Sequence, residues 1–244
     1  MSNFYVINIS PFVIFFIKME KIKKSIRVLS LDSRKLEPRR VHLWPNVSRT
    51  LVLGSSNSGK TNATITMILH MPRLKNIFLC SKTPSQPKYE LLKELVDSHN
   101  RESNEKIQFV QLSLEKLPNP EEIESESVVI FDDVLAQKID DKIGLFFMRG
   151  RHRSISVFYL AQSYCKIPKK SCIRENTSYI LLFRSDLISL RQIFYEQITD
   201  ITFEKFKDMC HKCWEERFGF LVIDLESENE RYKKNFEYVF KITE

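Results

Sequence analysis

Residues 49–61 read RTLVLGSSNSGKT. The apolar run 51–53 predicts a short buried strand, and it is followed at once by Gly54, four small or polar residues, and then Gly59-Lys60-Thr61. This order satisfies the pattern G-x-x-x-x-G-K-[ST], whose glycines allow the backbone to wrap closely around a phosphate group. A helical pattern begins directly after it, and a helix N-terminus attracts anions. The stretch therefore predicts a strand, a phosphate-binding loop and a helix in succession.

Each part of this loop has an expected task in binding ATP. Backbone N–H groups of residues 55–61 would form a nest around the phosphates. The Lys60 ammonium group would reach the β- and γ-phosphates, and the Thr61 hydroxyl would be a ligand of Mg²⁺. We therefore expect ATP to be bound by Gly54, Ser55, Ser56, Asn57, Ser58, Gly59, Lys60 and Thr61.

A second motif, which ends in two acidic residues, lies at residues 128–133, which read VVIFDD. The four apolar residues predict a buried strand that ends in two carboxylates. A P-loop enzyme needs such a carboxylate for Mg²⁺, and Asp132 is the candidate. Asp133 is the candidate general base for the attacking water. A further apolar run at 155–161 ends in Gln162, whose amide we expect near the γ-phosphate and that water.

Short apolar runs alternate with helical patterns of about ten residues, which is typical of parallel βαβ units. Continuous apolar runs also indicate a sheet that is covered on both faces. We therefore predict an α/β P-loop NTPase fold of the ASCE (RecA/FtsK-like) type, with a mainly parallel sheet and helices on both faces. The predicted strands are 49–53, 76–80, 107–112, 128–131, 155–161, 179–183, 218–225 and 236–242. The predicted helices are 61–71, 89–98, 139–148, 187–197 and 203–213.

The chain has 244 residues, of which 43% are apolar, and this composition excludes wholesale disorder. We expect one P-loop ATPase domain at 46–244, preceded by an N-terminal extension at 1–45. The apolar segment 4–17 would rise about 21 Å as a helix, short of the roughly 30 Å of a bilayer core. We therefore expect no stable membrane span. Met19 offers a second start, so residues 1–18 need not belong to the working protein. The five cysteines, an odd number, favour reduced thiols in an intracellular protein.

Residues 143–174 contain seven lysines and arginines and no acid. One interpretation is contact with the phosphate backbone of DNA. A second is an arginine finger that reaches a nucleotide on the neighbouring subunit. A third is a solvated basic loop. We assign the finger to Arg151 and the DNA contacts to Arg149, Arg153, Lys169 and Lys170.

Together these motifs resemble the genome-packaging ATPases of poxviruses, other large DNA viruses and virus-like transposons, which belong to the HerA–FtsK superfamily. The resemblance rests on Gly54–Thr61, on Val128–Asp133 and above all on residues 150–164, which read GRHRSISVFYLAQSY. The motifs Ile167-Pro168-Lys169 and Ile173–Asn176 extend it. It covers residues 45–200.

The resemblance implies that the Gln162 strand lies between the P-loop strand and the Asp132 strand, and that Gln162 is the sensor glutamine. It also implies a homo-oligomeric ring, usually a hexamer, which uses ATP to pump double-stranded DNA into a capsid. A capsid or portal protein would then be a partner, and the protein would act in a virus factory, the nucleus or the cytoplasm, or be virion-associated. Asp133 is shorter than the glutamate of many relatives, which leaves its role as base open.

Two other functions stay open from the sequence. One is a P-loop enzyme of another class, such as a helicase-like replication factor or a small-molecule kinase. The other is a non-catalytic nucleotide-binding remnant of an integrated viral element. A GTPase is disfavoured because Asp132 is followed by Asp-Val-Leu rather than by the Asp-x-x-Gly pattern.

Overall fold

The computed structural model describes residues 47–71, 73–134, 140–169, 172–227, 230–236 and 238–240, together with the backbone of 26–28 and 39–41. The predictions for the apolar segment 4–17 and for a second start at Met19 concern residues outside this described part. The backbone segments Ile26–Val28 and Arg39–Val41 pair as antiparallel strands, β1 and β2. In the described part of the chain, no helix has both the length and the apolar character needed to cross a bilayer.

Nine further strands and five helices follow in the described residues. They are β3 (Arg49–Leu53), α1 (Lys60–Leu69), β4 (Asn76–Ser81), α2 (Pro87–Glu102), β5 (Gln108–Gln111), β6 (Ser127–Asp132), α3 (Asp140–Arg149), β7 (Ile155–Ala161), β8 (Tyr179–Leu182), α4 (Leu187–Gln197), α5 (Phe203–Trp214), β9 (Leu221–Asp224), β10 (Tyr232–Lys234) and β11 (Tyr238–Val239).

The P-loop strand β3 lies inside one sheet with the order β11-β10-β9-β8-β3-β7-β6-β4-β5. The strands from β8 to β5 are parallel to one another. This confirms the predicted α/β fold with a mainly parallel sheet. Strand β7, which leads to Gln162, pairs with β3 on one side and β6 on the other, and this is the order that the family resemblance implies.

The sheet becomes antiparallel beyond β8. Strand β9 pairs antiparallel with β8, and β10 and β11 continue in the same alternating way. A single crossover helix returns the chain to the edge where it started, which makes successive strands parallel. Two helices, α4 and α5, connect β8 to β9, so the chain returns to the edge where β8 ends. It enters β9 from that edge, and β9 therefore runs antiparallel to β8.

The central strands bury both of their faces because side chains alternate along a strand. On one face, Val52 and Ile130 belong to a core that includes residues of α1 and α2. On the other face, Leu51 and Val129 belong to a core that includes residues of α3, α4 and α5. All six residues of β6 are buried. The continuous apolar runs of the sequence therefore reflect a sheet with helices on both faces, as predicted.

Candidate functional site

Three neighbouring strands end at the same edge of the sheet, and each delivers a predicted site residue there. Gly54 follows β3, Gln162 follows β7 and Asp133 follows β6. The Gly54 N–H donates to the Ala161 carbonyl at 3.2 Å, and the Asp133 N–H donates to the Leu160 carbonyl at 3.4 Å. These two bonds continue the parallel pairing past the strand ends. The structure thus brings the loop, Gln162 and Asp133 together.

The loop has a backbone conformation that requires its two glycines. Gly54 has φ +153° and Gly59 has φ +104°, a region that side-chain-bearing residues rarely adopt. A Cβ atom on Gly54 would lie 2.6 Å from the Phe183 Cβ, closer than atoms can approach. Gly59 is also the N-cap of α1, and no side chain caps this helix end. The first N–H groups of α1 are thus available to an anion.

The Lys60 side chain folds back over this loop. Its Nζ donates to the carbonyl oxygens of Gly54 and Ser55, both at 2.7 Å. Burial lowers the pKa of the Lys60 ammonium group, and the negative charges of Asp132 and Asp133 oppose this shift. The Ser58 Oγ is buried without a hydrogen-bond partner among the described residues. Lysine and serine donors therefore gather where the sequence predicts phosphate.

Asp132 lies at the end of β6 and is only 8% exposed. Its Oδ2 accepts a hydrogen bond from the Tyr89 hydroxyl at 2.8 Å. Burial raises the pKa of the Asp132 carboxyl, while the Tyr89 hydrogen bond and the charge of Lys60 oppose the rise. One phenol group thus holds the carboxylate that the sequence assigns to Mg²⁺.

No sequence motif marks Tyr89 as a site residue. It lies in the first turn of α2 and is fully buried. Its position fits the helical pattern of a core residue, and a core tyrosine gives no sequence signal of a polar contact. The contact becomes visible only when β4 and α2 are placed beside β6.

Asp133 and Gln162 line the same small pocket, together with Tyr159, Leu160 and Ala161. Both side chains are exposed. Asp133 has φ +52°, a left-handed conformation that aspartate tolerates better than most residues. An acid and an amide next to the loop could orient and deprotonate a water molecule there.

The predicted arginine-rich turn lies at the opposite edge of the sheet. Residues 150–153 form a short 3₁₀ helix that precedes β7, whereas Gln162 follows β7. Seven strand residues span about 23 Å, so Arg151 cannot reach the loop of its own subunit. Its guanidinium group pairs with Glu226 at 3.2 Å, and the Arg151 side chain is 62% exposed. Arg149 pairs with Glu121 at 2.6 Å.

The basic segment 143–174 is divided by the fold rather than kept as one surface. Arg153 donates to the Glu121 carbonyl and lies with the arginine-rich turn. Lys169 follows β7 and is exposed, whereas Lys170 lies outside the described residues. Arg174 is buried against Tyr164 and Glu196. The charge of Arg174 is therefore part of the core and does not contribute to the exposed basic surface.

The residues at this edge fit the two groups that the motif predicts. The glycine loop, the uncapped start of α1 and the Lys60 ammonium group are the donors that a nucleotide phosphate requires. The Thr61 hydroxyl and the Asp132 carboxylate are oxygen ligands of the kind that Mg²⁺ prefers. The arrangement is therefore suited to bind a nucleotide and to hold a cation beside it.

The sheet order and the glycine loop define a P-loop NTPase of the ASCE type. The chain belongs to the poxvirus A32 protein family, which matches residues 37–195. The resemblance inferred from the sequence motifs is thus confirmed. A comparison with curated proteins finds no significant match.

Three solved structures are similar to this fold. The DNA-packaging ATPase B204 from Sulfolobus turreted icosahedral virus is 17% identical, with a TM-score of 0.55 over 82% of this chain and 100% of that one. The genome packaging NTPase B204 from Sulfolobus turreted icosahedral virus 2, in complex with ATP-gammaS, is 13% identical, with a TM-score of 0.50 over 81% and 100%. VirB4 of Thermoanaerobacter pseudethanolicus is 9% identical, with a TM-score of 0.51 over 90% and 97%. These likenesses establish a shared fold.

Proposed function

We propose that this protein hydrolyses ATP with Mg²⁺ and uses the energy to translocate double-stranded DNA during packaging of a viral genome into a capsid. The observation that carries the proposal is the convergence of the glycine loop, Asp132, Asp133 and Gln162 at one edge of the sheet. Membership of the poxvirus A32 protein family and the likeness in fold to the B204 packaging ATPases support it.

In this proposal, residues 54–61 hold the phosphates of ATP through backbone N–H groups. Lys60 leaves the carbonyls of Gly54 and Ser55 and turns to the β- and γ-phosphates. The exchange is favourable because a phosphate is a stronger partner for an ammonium group than a neutral carbonyl is. Asp133 accepts a proton from the water that attacks the γ-phosphorus, and the Gln162 amide orients that water.

Thr61 and Asp132 are the proposed residues for Mg²⁺. When bound, Mg²⁺ would neutralise charge on the phosphate oxygens. Asp132 is suited to this role rather than to that of the base, because it is buried and already hydrogen-bonded to Tyr89. The exposed neighbour Asp133 is free to meet water.

The protein is proposed to act as a homo-oligomeric ring, for which a hexamer is the expected size. Arg151 is separated from the loop of its own subunit by the length of β7, about 23 Å, which supports a role at the nucleotide of a neighbour. Its exposed ion pair with Glu226 is of the kind that contributes little stability and can be exchanged readily.

We assign DNA contacts to the basic residues that lie at the surface. Arg149, Arg153 and Lys169 are exposed, and Lys170 is included from the sequence alone. Such contacts go to phosphates and make binding strongly salt-dependent. A capsid or portal protein as partner, and action within the infected cell, follow from the packaging role.

The test is the rate of ATP hydrolysis with and without long double-stranded DNA. We expect DNA to increase the turnover number, and Lys60→Ala to abolish hydrolysis in both conditions. Lys212→Ala, which changes a lysine on α5, serves as the control for loss of positive charge. If the rate of ATP hydrolysis does not change with DNA and phosphate is transferred to a small acceptor, the protein would instead be a small-molecule kinase.

A further inference from the structure

The Tyr89 hydroxyl contacts Asp132, a residue that the proposed function assigns to Mg²⁺. It donates to Asp132 Oδ2 at 2.8 Å. A phenol has a single proton to donate. That proton goes to Asp132, so the phenol holds one of the two carboxylate oxygens in place.

This bond has a consequence for the Asp132 carboxylate. The hydrogen bond at Oδ2 fixes the orientation of the whole carboxylate group, including Oδ1. A cation binds to the lone pairs of such oxygens. The carboxylate is thereby oriented for a cation.

The phenol is well placed to impose this orientation because it cannot move easily. Tyr89 is fully buried, and its ring packs within the core that contains residues of α1 and α2. Its helix begins at Pro87, which restricts the backbone of the first turn. A phenylalanine would fill nearly the same volume, so packing alone does not require a hydroxyl at this position.

We propose that Tyr89 is a positioning residue for the Mg²⁺–nucleotide site, where its hydroxyl orients Asp132 for the cation. The inference rests on the proposed function of this edge of the sheet. Groups that orient metal ligands commonly change metal affinity or activity by about tenfold to a hundredfold when they are removed.

The test is Tyr89→Phe in the full-length chain, with binding of a fluorescent, non-hydrolysable ATP analogue followed in EDTA and across a Mg²⁺ titration. We expect analogue affinity in EDTA to stay within about twofold of wild type, because the loop and Lys60 are unchanged. The Mg²⁺ concentration that gives half of the affinity gain should rise about tenfold or more. The turnover number should recover towards wild type as Mg²⁺ is raised.

Tyr232→Phe is the matched control. Tyr232 is also fully buried and donates to a carboxylate, Asp200, at 2.6 Å, but it lies on β10 in the antiparallel part of the sheet. We expect this variant to keep the wild-type Mg²⁺ midpoint.

The outcomes separate the inference from the proposed function. An unchanged Mg²⁺ midpoint in Tyr89→Phe would overturn the role of Tyr89. A Tyr89→Phe chain that unfolds, or that loses binding in EDTA as well, would also overturn it, since the hydroxyl would then serve the fold. If wild type itself shows no Mg²⁺-dependent gain in affinity, the proposed function fails.

Discussion

At the scale of single residues, two adjacent aspartates at the end of β6 have different surroundings. Asp132 is buried and accepts a hydrogen bond from Tyr89, whereas Asp133 is exposed and lines a pocket with Gln162. Burial raises the pKa of the Asp132 carboxyl. We therefore propose different roles for the two carboxylates: Asp132 binds the cation, and Asp133 accepts a proton from water.

Asp133→Asn should separate binding from hydrolysis. The asparagine has nearly the same shape but cannot accept a proton, so we expect the turnover number to fall about a hundredfold to ten-thousandfold. Affinity for a non-hydrolysable ATP analogue should change little. Asp208→Asn, at an exposed position on α5, is the control. Wild-type turnover in Asp133→Asn would show that another group takes the proton.

The sequence predicted most of this site because its residues follow strands in fixed patterns. Gly54, Asp132 and Gln162 each come directly after or at the end of an apolar run, and parallel strands bring such positions to one edge. Tyr89 could not be predicted in this way. Its contact depends on how α2 packs against β6, and neither spacing nor composition encodes that packing.

At the scale of elements, prediction succeeded where the hydrophobic pattern is strong and bounded. Strands β3 and β7 and helix α4 have the predicted bounds. Helix α2 extends from Pro87 to Glu102, beyond the predicted 89–98, because charged residues continue a helix that apolar spacing alone does not reveal.

Prediction was weakest at the C-terminal end of the sheet. The strand expected at 218–225 is limited to Leu221–Asp224. Strand β10 was missed, and only Tyr238–Val239 of the predicted 236–242 is a strand in the described residues. These strands have two to four residues, so they contain too few positions to display a period.

The start of α4 gives a prediction about pH. Asp186 caps this helix: its Oδ1 accepts from the Ser189 N–H at 2.8 Å, and its Oδ2 accepts from the Ser189 hydroxyl at 3.0 Å. The backbone hydrogen bond from Ser189 is the main cause that lowers the pKa of Asp186. A lowered pKa means that the charged cap stabilises the folded chain above the ordinary aspartate pKa of about 3.9, and that this stabilisation is lost as pH falls.

We therefore compare the free energy of unfolding of wild type and Asp186→Asn between pH 7 and pH 3. Asparagine retains an oxygen acceptor but does not titrate, so wild type should be the more stable of the two at pH 7. The difference should shrink below about pH 4, and Asp186→Ala should cost about 1 kcal/mol at neutral pH. A difference that stays constant across this range would contradict the role of the charge.

At the scale of the whole molecule, the proposed catalytic groups and the arginine-rich turn occupy opposite edges of one sheet. A head-to-tail ring would bring the turn of one subunit towards the loop of the next. The antiparallel strands β9–β11 extend the sheet on the β8 side, away from β7 and β6. These additional strands therefore do not lie next to β3, β7 and β6, whose ends form the proposed catalytic site.

Subunit mixing tests the proposed finger. Lys60→Ala lacks phosphate binding but keeps Arg151, whereas Arg151→Ala keeps the loop but lacks the finger. Each variant alone should be inactive. A heterologous ring pairs the loop of one subunit with the turn of the next. In a 1:1 mixture roughly a quarter of the interfaces should therefore combine an intact loop with an intact Arg151, and ATP hydrolysis should recover to about that fraction of the wild-type rate. A mixture that is no more active than its separate components would exclude a role in trans. Lys212→Ala, which removes a positive charge on α5, is the control in place of Arg151→Ala.

The central claim is that ATP hydrolysis moves this protein along double-stranded DNA, and displacement of a triplex-forming strand measures that movement directly. We expect the wild-type protein with ATP and Mg²⁺ to displace a third strand from long duplex DNA. Lys60→Ala, or wild type with a non-hydrolysable analogue, should leave the triplex intact. Hydrolysis by the wild-type protein on this DNA without displacement of the third strand would contradict the account.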